Sequence, residues 1–445
     1  MRIAFFANKF PVVSETFILR QIVGLIDLGH DVTIFAAWHP EQRDPVHSKF
    51  EKYNLLQRTV YLDDLIPRES GYWAAPVWPL SGRTWTPESN RPVRNFWRAM
   101  QAVPTFLASA AAFPQLALQL VSPAGYGEDA LSLAALYRCA VLRRWKHHFD
   151  IAHAHFGPIG GSFRFVRELW NVPFVVSFHG YDFCTFPRLH GRDMYRELFQ
   201  TADVITVGSN YAAEQVKRLG CAGAKLKKLS VGVPLNDVVF RERHLGSVKT
   251  IRVLSVGRLV KIKGHEYLLR AVAQIRPRYP QVRVDIVGDG PLRKRLEELI
   301  RELEIRDVAT LHGAQANNIV LRMMDESHIF VLGSVDVHGD AEGQGLVVQE
   351  AQAMGLPVIV TNHGALPEGM LPNESGYVVA EGDANSLAEA VAKLIEQHED
   401  WALMGRRGRD FVSERFSATV LDRQLVDLYT DAIRQFTDGR LRLSA

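Results

Sequence analysis

The chain has 445 residues, 47% of them hydrophobic and 23% charged, with a formal net charge of +3. That length favours two domains over one, the balance is ordinary for a globular protein, and so small a net charge gives no reason to expect a nucleic-acid partner. Cys139, Cys184 and Cys221 form no Cys-x-x-Cys pair, which speaks against a structural zinc site or a disulfide framework and fits a reducing compartment.

The opening run MRIAFFANKF is too short for a signal-peptide core and reads as a strand. Strands are expected at Arg2–Ala7 and Asp31–Ala36, with a helix at Thr16–Leu28 ended by Gly29. Residues 63–97 are rich in Pro and Gly and carry Trp73, Trp78, Trp85 and Trp97; they read as an insertion that extends to about residue 121. Ala102–Val121 is uncharged and about long enough to span a bilayer. Pro104, Pro114, Thr105, Ser109, Gln115 and Gln119 favour buried or interfacial helices instead. Further strands are expected at Ile151–His155, Phe174–Phe178, Val204–Val207 and Lys228–Val231, as β-branched runs bounded by Gly, Pro, Asn or Asp. Beyond the polar stretch Asn236–Lys249 the pattern restarts, at Ile251–Val256, Arg283–Val287, Ala309–Leu311, Ile329–Leu332, Pro357–Thr361 and Gly376–Val379. Pro291–Leu303 reads as a helix with Leu292, Leu296, Ile300 and Leu303 on one face, and Gln344–Met354 as another stopped by Gly355. A last helix is expected at Ala418–Phe436. Strands alternating with helices give parallel sheets covered on both faces. The expectation is two doubly wound α/β domains, at 1–240 and 241–416, followed by a tail at 417–445.

Ligands of open parallel sheets bind beyond the carboxyl ends of the strands. Ile251–Val256 runs into GRLVKIKG. Its Arg258 fork and Lys263 ammonium suit the oxygens of a diphosphate. Gly288-Asp289-Gly290 opens the helix expected at Pro291 and would offer backbone N–H groups to an anion. In GSVDVHGDAEGQG, Glu342 precedes a helix that carries Glu350, and Gly343 and Gly345 allow close approach of a ligand. Glu342 and Glu350 are weighed against plain surface charges, as Arg258 and Lys263 are against solvated loop charges. Asn362-His363-Gly364 and Leu366-Pro367-Glu368 end on the same edge. The first half supplies His153-Ala154-His155 and His179-Gly180-Tyr181-Asp182, which a cleft would bring opposite Glu342. His153 and His155 share one strand face; they read as site residues, as a metal pair without an evident third ligand, or in part as hydrogen-bonded core. The tryptophans read as local packing or membrane contact, and Arg143, Arg144 and Lys146 as a solvated helix face or a lipid patch. No Asp-x-Asp triplet occurs, so a carboxylate-held divalent ion is not expected. Gly288-Asp289-Gly290 lacks the third glycine of G-x-G-x-x-G, which argues against a dinucleotide oxidoreductase. A sugar-nucleotide epimerase, a phosphorylase-like enzyme and a non-catalytic sugar-nucleotide binder remain alternatives on such a fold.

Together GRLVKIKG, VGDGP, the spacing of Glu342 and Glu350, the His-x-His of DIAHAH, and His179-Gly180-x-Asp182 resemble glycosyltransferase family 4. Those are retaining enzymes of the GT-B fold, with two Rossmann-like domains facing across a cleft. FPVVSETFILRQI is similar to a segment of bacterial enzymes that build exopolysaccharides, including the colanic acid type. The resemblance implies that Arg258 and Lys263 hold the diphosphate, that Glu350 binds the ribose, and that Glu342 contacts the donor sugar and assists the transition state. It also implies that His179 faces the transferred sugar. Gly257, Gly288, Gly313, Gly343, Gly345 and Leu346 would complete the donor pocket, and the tail helix would cross back onto the first domain. A glycine pair common in relatives is replaced here by Asn8–Glu15, so Ser14, Glu15, Thr16, His153, His155 and Asp182 stand as the acceptor-side candidates. The implied partners are a nucleoside-diphosphate sugar and a lipid-linked saccharide, with no metal or other cofactor. The expected setting is the cytoplasm, with weak contact at the inner membrane surface.

Overall fold

A computed structural model describes residues 1–12, 15–40, 48–65, 92–245 and 250–444. Ser14 and the expected positions Trp73, Trp78 and Trp85 lie outside them, as does the side chain of Trp97. Two sheets form, each parallel throughout. The first holds β1 (Arg2–Lys9), β2 (Asp31–Trp38), β3 (Thr59–Tyr61), β4 (Ile151–His155), β5 (Phe174–Phe178), β6 (Val204–Val207) and β7 (Leu226–Lys228), in the order β3-β2-β1-β4-β5-β6-β7. The second holds β8 (Ile251–Val256), β9 (Val282–Val287), β10 (Ala309–Gly313), β11 (Ile329–Leu332), β12 (Val358–Thr361) and β13 (Gly376–Val379), in the order β10-β9-β8-β11-β12-β13. β4, β5, β6, β11 and β12 are buried along their whole length. That is the pattern of strands covered by helices on both faces. In each sheet the strand order reverses beside the first strand, between β1 and β4 and between β8 and β11, which opens a crevice at the carboxyl edge.

Most strands lie where their apolar runs place them, and the differences are local. The expected strand Lys228–Val231 is instead β7, whose exposed Lys227 and Lys228 end the sheet at an edge. β3 is only three residues long and pairs with β2. The helix expected from Pro291 begins at Arg293, because Arg293 N donates to Gly290 O and closes a turn first. The helix expected from Gln344 begins at Leu346, after Gly345 at φ 75°. The uncharged stretch Ala102–Val121 is split between helices Pro92–Ala112 and Pro114–Leu120, since Pro114 starts the second. Among the described residues no helix is long and apolar enough to cross a membrane.

The last helix, Ala418–Ser444, packs against helix Thr16–Asp27 of the first lobe. Its Leu425 and Tyr429 share a buried cluster with Ile18, Leu19 and Ile22. Polar contacts also join the lobes. Ser209 Oγ donates to Gly343 O at 2.8 Å, and the Gln344 amide exchanges hydrogen bonds with Val231 N and O, each at 2.8 Å. The Glu368 carboxylate accepts from Asn210 N at 2.8 Å and Tyr211 N at 2.7 Å. It thereby places a negative charge at the start of helix Asn210–Arg218, where unpaired N–H groups favour one.

Candidate active site between the lobes

The second lobe builds its side of the site on the loops after β8, β9 and β11. Gly288 follows β9 at φ 142°, and a Cβ there would stand 1.9 Å from Gly257 O, so only glycine lets these two loops touch. Behind them Gly288 N donates to Gly313 O at 2.9 Å. The loop after β8 turns through Lys261–Lys263 and brings Lys263 Nζ to 2.6 Å from Glu342 Oε1, which also accepts from Ser334 Oγ at 2.8 Å. The Lys263 and Glu342 side chains are only 19% and 11% exposed. Burial alone would raise the Glu342 carboxyl, but the Lys263 charge and hydrogen bond, then Ser334 and His363, hold it below the usual carboxylate range. Arg258, in the same loop as Lys263, is exposed.

Most of the backbone donors expected to form an anion site at Gly288–Gly290 are engaged within the chain. Gly290 N donates to Asp289 Oδ1 at 2.7 Å, Leu292 N to Leu259 O at 3.0 Å and Arg293 N to Gly290 O at 3.1 Å. These donors are already engaged, which leaves the cationic side chains as the stronger candidates to meet a diphosphate.

The first lobe meets this loop through the turn after β5. A Cβ on Gly343 would lie 2.9 Å from His179 O, so the His179–Gly180 turn and the Ala341–Gly343 segment are in backbone contact. His179 and Glu342 thus belong to facing loops of one cleft. The His179 ring stacks on His155 with centroids 5.3 Å apart and planes at 5°, and its Nε2 is 3.1 Å from His155 Nδ1. Phe17 and Phe156 close round it at 4.4 and 4.9 Å. Burial holds the His179 imidazole down to about 3, so it faces the cleft uncharged at neutral pH.

Three of the acceptor-side candidates point inward. His153 is fully buried; its Nδ1 lies 2.6 Å from Tyr429 Oη and its Nε2 2.7 Å from Ser177 Oγ. It is a hydrogen-bonded core residue that ties the last helix to β4, and it reaches no ligand in this arrangement. His155 is also fully buried, and its route to the cleft is through the His179 ring. Asp182 is enclosed too: its Oδ2 accepts from His179 N at 2.9 Å and Gly157 N at 3.2 Å, which fixes the turn that presents His179. Burial pushes the Asp182 carboxyl up to about 7. Glu15, just before helix Thr16–Asp27, is likewise pushed up to about 7, by burial and then by Asp182, against the opposing charge of Lys9. Thr16 opens that helix and is half-buried.

Several participants escape sequence reasoning. Glu350 does not stand alone: Arg20 Nη2, on helix Thr16–Asp27, lies 2.5 Å from its Oε1. The available signal was an arginine one residue from Leu19 and two from Ile18 and Ile22, all of them core. Ser334 and the inter-lobe Gln344 had no signal beyond being polar in a loop. Among the described residues, His39, Asp63 and Asp64 bring one ligand-type atom each within 4.8 Å of one another, at the outer strands β2 and β3.

Comparison with known proteins shows the family and the fold. The family model for glycosyl transferases group 1 matches residues 239–411, and that for a glycosyl transferase 4-like domain matches residues 14–232. A relative in Salmonella typhimurium, named for colanic acid biosynthesis as glycosyltransferase WcaL, is 30% identical over 433 residues, covering 96% of this chain and 99% of its own. The amylovoran biosynthesis glycosyltransferase AmsK of Erwinia amylovora is 28% identical, with 96% and 99% covered. In fold, the chain is similar to Anabaena Alr3699/HepE in complex with UDP, at a TM-score of 0.67 and 17% identity over 97% of this chain and 100% of that one. It is also similar to sucrose-phosphate synthase from Thermosynechococcus elongatus, at 0.65 and 21% over 97% and 98%. Two parallel α/β lobes, a cleft at their carboxyl edges and relatives matched end to end lead to one assignment: the chain belongs to the group 1 glycosyl transferases and is a glycosyltransferase of the GT-B fold.

Proposed function

We propose that this enzyme transfers a sugar from a nucleoside-diphosphate donor to a lipid-linked saccharide during exopolysaccharide synthesis, with retention at the anomeric carbon. The observation that carries the reading is the Lys263–Glu342–Ser334 cluster facing the His179 turn. The names of the relatives, which concern colanic acid and amylovoran, support the pathway class. In this reading residues 1–240 receive the acceptor, 241–416 hold the donor, and 417–445 brace the first lobe.

In the reaction the bond from the anomeric carbon to the diphosphate oxygen breaks, and that oxygen gathers negative charge. Arg258 and Lys263 stabilise it, as preorganised cationic donors aimed at developing charge do. Glu342 stays ionised and supports positive charge on the sugar ring. Neutral His179 donates or accepts one hydrogen bond at a sugar hydroxyl without adding charge. The acceptor oxygen bonds to the anomeric carbon on the face the diphosphate leaves, and its proton passes to a departing phosphate oxygen. Cationic side chains fill the role that a divalent ion plays elsewhere, so activity persists in chelator.

The test is product analysis. Purified protein is incubated with a panel of nucleotide sugars and lipid-linked saccharides, with and without chelator, and products are read by mass spectrometry and NMR. Transfer with the donor's anomeric configuration kept is the expected result. An inverted product would sink the stereochemical reading. Epimerised donor without transfer would sink the function.

A further inference from the structure

Helix Thr16–Asp27 turns Ile18, Leu19 and Ile22 into the first-lobe core and leaves Arg20 to reach across the cleft. Its Nη2 lies 2.5 Å from Oε1 of Glu350 on helix Leu346–Ala353 of the second lobe, and the two side chains are only 11% and 13% exposed. Taking both charges out of water is costly, and such a pair returns little stability by itself. It forms only when the two lobes are together. A carboxylate offers about four lone-pair positions. Arg20 uses one on Oε1, which leaves Oε2 and a second position on Oε1 for neighbouring hydroxyls. The other terminal nitrogen of Arg20, Nη1, is enclosed and has no hydrogen-bond partner. An N–H in that condition carries its full desolvation cost until an oxygen arrives.

We infer that Arg20 completes the donor site from the opposite lobe: Nη2 orients Glu350 for the vicinal diol of a nucleoside, and Nη1 is reserved for an oxygen of the same ligand. Arg20 is a positioning residue for Glu350, and it links donor binding to lobe closure. Each event favours the other, because the carboxylate is held correctly only when the lobes meet. This rests on the proposed transfer from a nucleoside-diphosphate sugar and on Glu350 serving the donor ribose, the role the family resemblance implies for it.

The experiment uses full-length protein and whichever donor the wild-type enzyme turns over; absence of wild-type turnover would count against the proposed function, not against Arg20. Arg20→Ala is expected to raise the donor KM roughly fivefold or more, the lower end of typical site-to-site coupling, with a smaller change in kcat. Arg20→Lys keeps the charge but loses the fork, so it should recover part of the loss; it also serves if Arg20→Ala does not fold. In a Glu350→Gln background, Arg20→Ala should add less than it does alone, since both act on one carboxylate. Small-angle X-ray scattering should show UDP or GDP contracting the wild type and not Arg20→Ala. A folded Arg20→Ala enzyme with a donor KM within about twofold of wild type, or full additivity with Glu350→Gln, overturns the inference.

Discussion

Lys263 carries two duties in the cleft. Its ammonium holds Glu342 at 2.6 Å and is also the nearest candidate to meet a diphosphate. Lys263→Ala therefore removes a transition-state donor and at the same time strands a buried carboxylate. kcat should fall roughly a hundredfold to a thousandfold, as for loss of one preorganised donor. The acid limb of the pH–rate profile should also move to higher pH, because burial would then act on Glu342 with less opposition. Arg258→Ala should lower kcat by a similar factor without that shift, since Arg258 makes no contact with Glu342 among the bonds described. Full activity in both folded variants would show that the diphosphate lies elsewhere. Asp182 supplies a stability test. Its folded value of about 7 lies above the ordinary carboxylate value, so its contribution is complete below about pH 4 and is lost as pH rises through about 7. Tm of wild type minus that of Asp182→Asn should fall between pH 5 and pH 8. With an unfolding entropy of about 2.1 cal/mol/K per residue, 1 kcal/mol corresponds to only ~1 °C in a chain of 445 residues. A flat difference would mean the carboxyl is ionised throughout. Buried histidines such as His153 titrate in the opposite sense at acid pH, which is why the difference from the variant is the quantity to read.

At the scale of elements, the sequence announces strands far better than contacts. Ile151–His155, Phe174–Phe178, Val204–Val207, Ile251–Val256, Ile329–Leu332 and Gly376–Val379 are all read to the residue, because strands of a helix-covered parallel sheet are mostly apolar runs bounded by polar and turn residues. β7 is displaced because its residues are Leu, Lys and Lys, an edge that apolar patterning does not mark. β3 is too short to carry a period. The polar site is legible as motifs and not as partners. Gly288-Asp289-Gly290 names a loop but does not say that Asp289 takes the Gly290 N–H itself. His-x-His places two imidazoles on one face, yet only the fold shows that His153 meets Tyr429, 276 positions later in the chain. With the packing of Leu425 and Tyr429 against Ile18, Leu19 and Ile22, that bond joins the last helix to the first lobe. Tyr429→Phe keeps the ring and strands His153 Nδ1 in the core, a loss of about 1–3 kcal/mol. Urea unfolding should show it as a lower midpoint with an unchanged slope. An unchanged midpoint would mean that the helix is held by its leucines alone.

The proposed function brings a soluble donor and a membrane-borne acceptor to one cleft, and the exposed residues of the first lobe bear on that proposal. Leu107 and Val103 on helix Pro92–Ala112, Leu118 on helix Pro114–Leu120 and Leu131 beyond them are exposed by 61%, 48%, 63% and 73%. All belong to the first lobe, which the proposed function gives to the acceptor. Basic groups sit beside them: Arg143 donates to Ala108 O at 3.2 Å, and Lys146 Nζ lies 4.7 Å from the centroid of the Phe113 ring. Apolar side chains flanked by cations suit an anionic lipid surface, where each basic residue contributes about 1 kcal/mol within a Debye length. A contact of that kind is weak and screened by salt. The enzyme should sediment with vesicles containing anionic lipid at low salt, should not do so with neutral ones, and should be released by 0.5–1 M salt, a regime in which the Debye length is about 3–4 Å. Leu107→Glu and Leu118→Glu together should reduce sedimentation several-fold, and Arg143→Glu with Lys146→Glu should act similarly. Turnover on a water-soluble analogue of the acceptor should stay unchanged in both pairs, because none of the four side chains belongs to the cleft. Equal binding to neutral and anionic vesicles, or release only by detergent, would defeat the electrostatic half of this picture. Unchanged sedimentation of the glutamate variants would place the contact on another face.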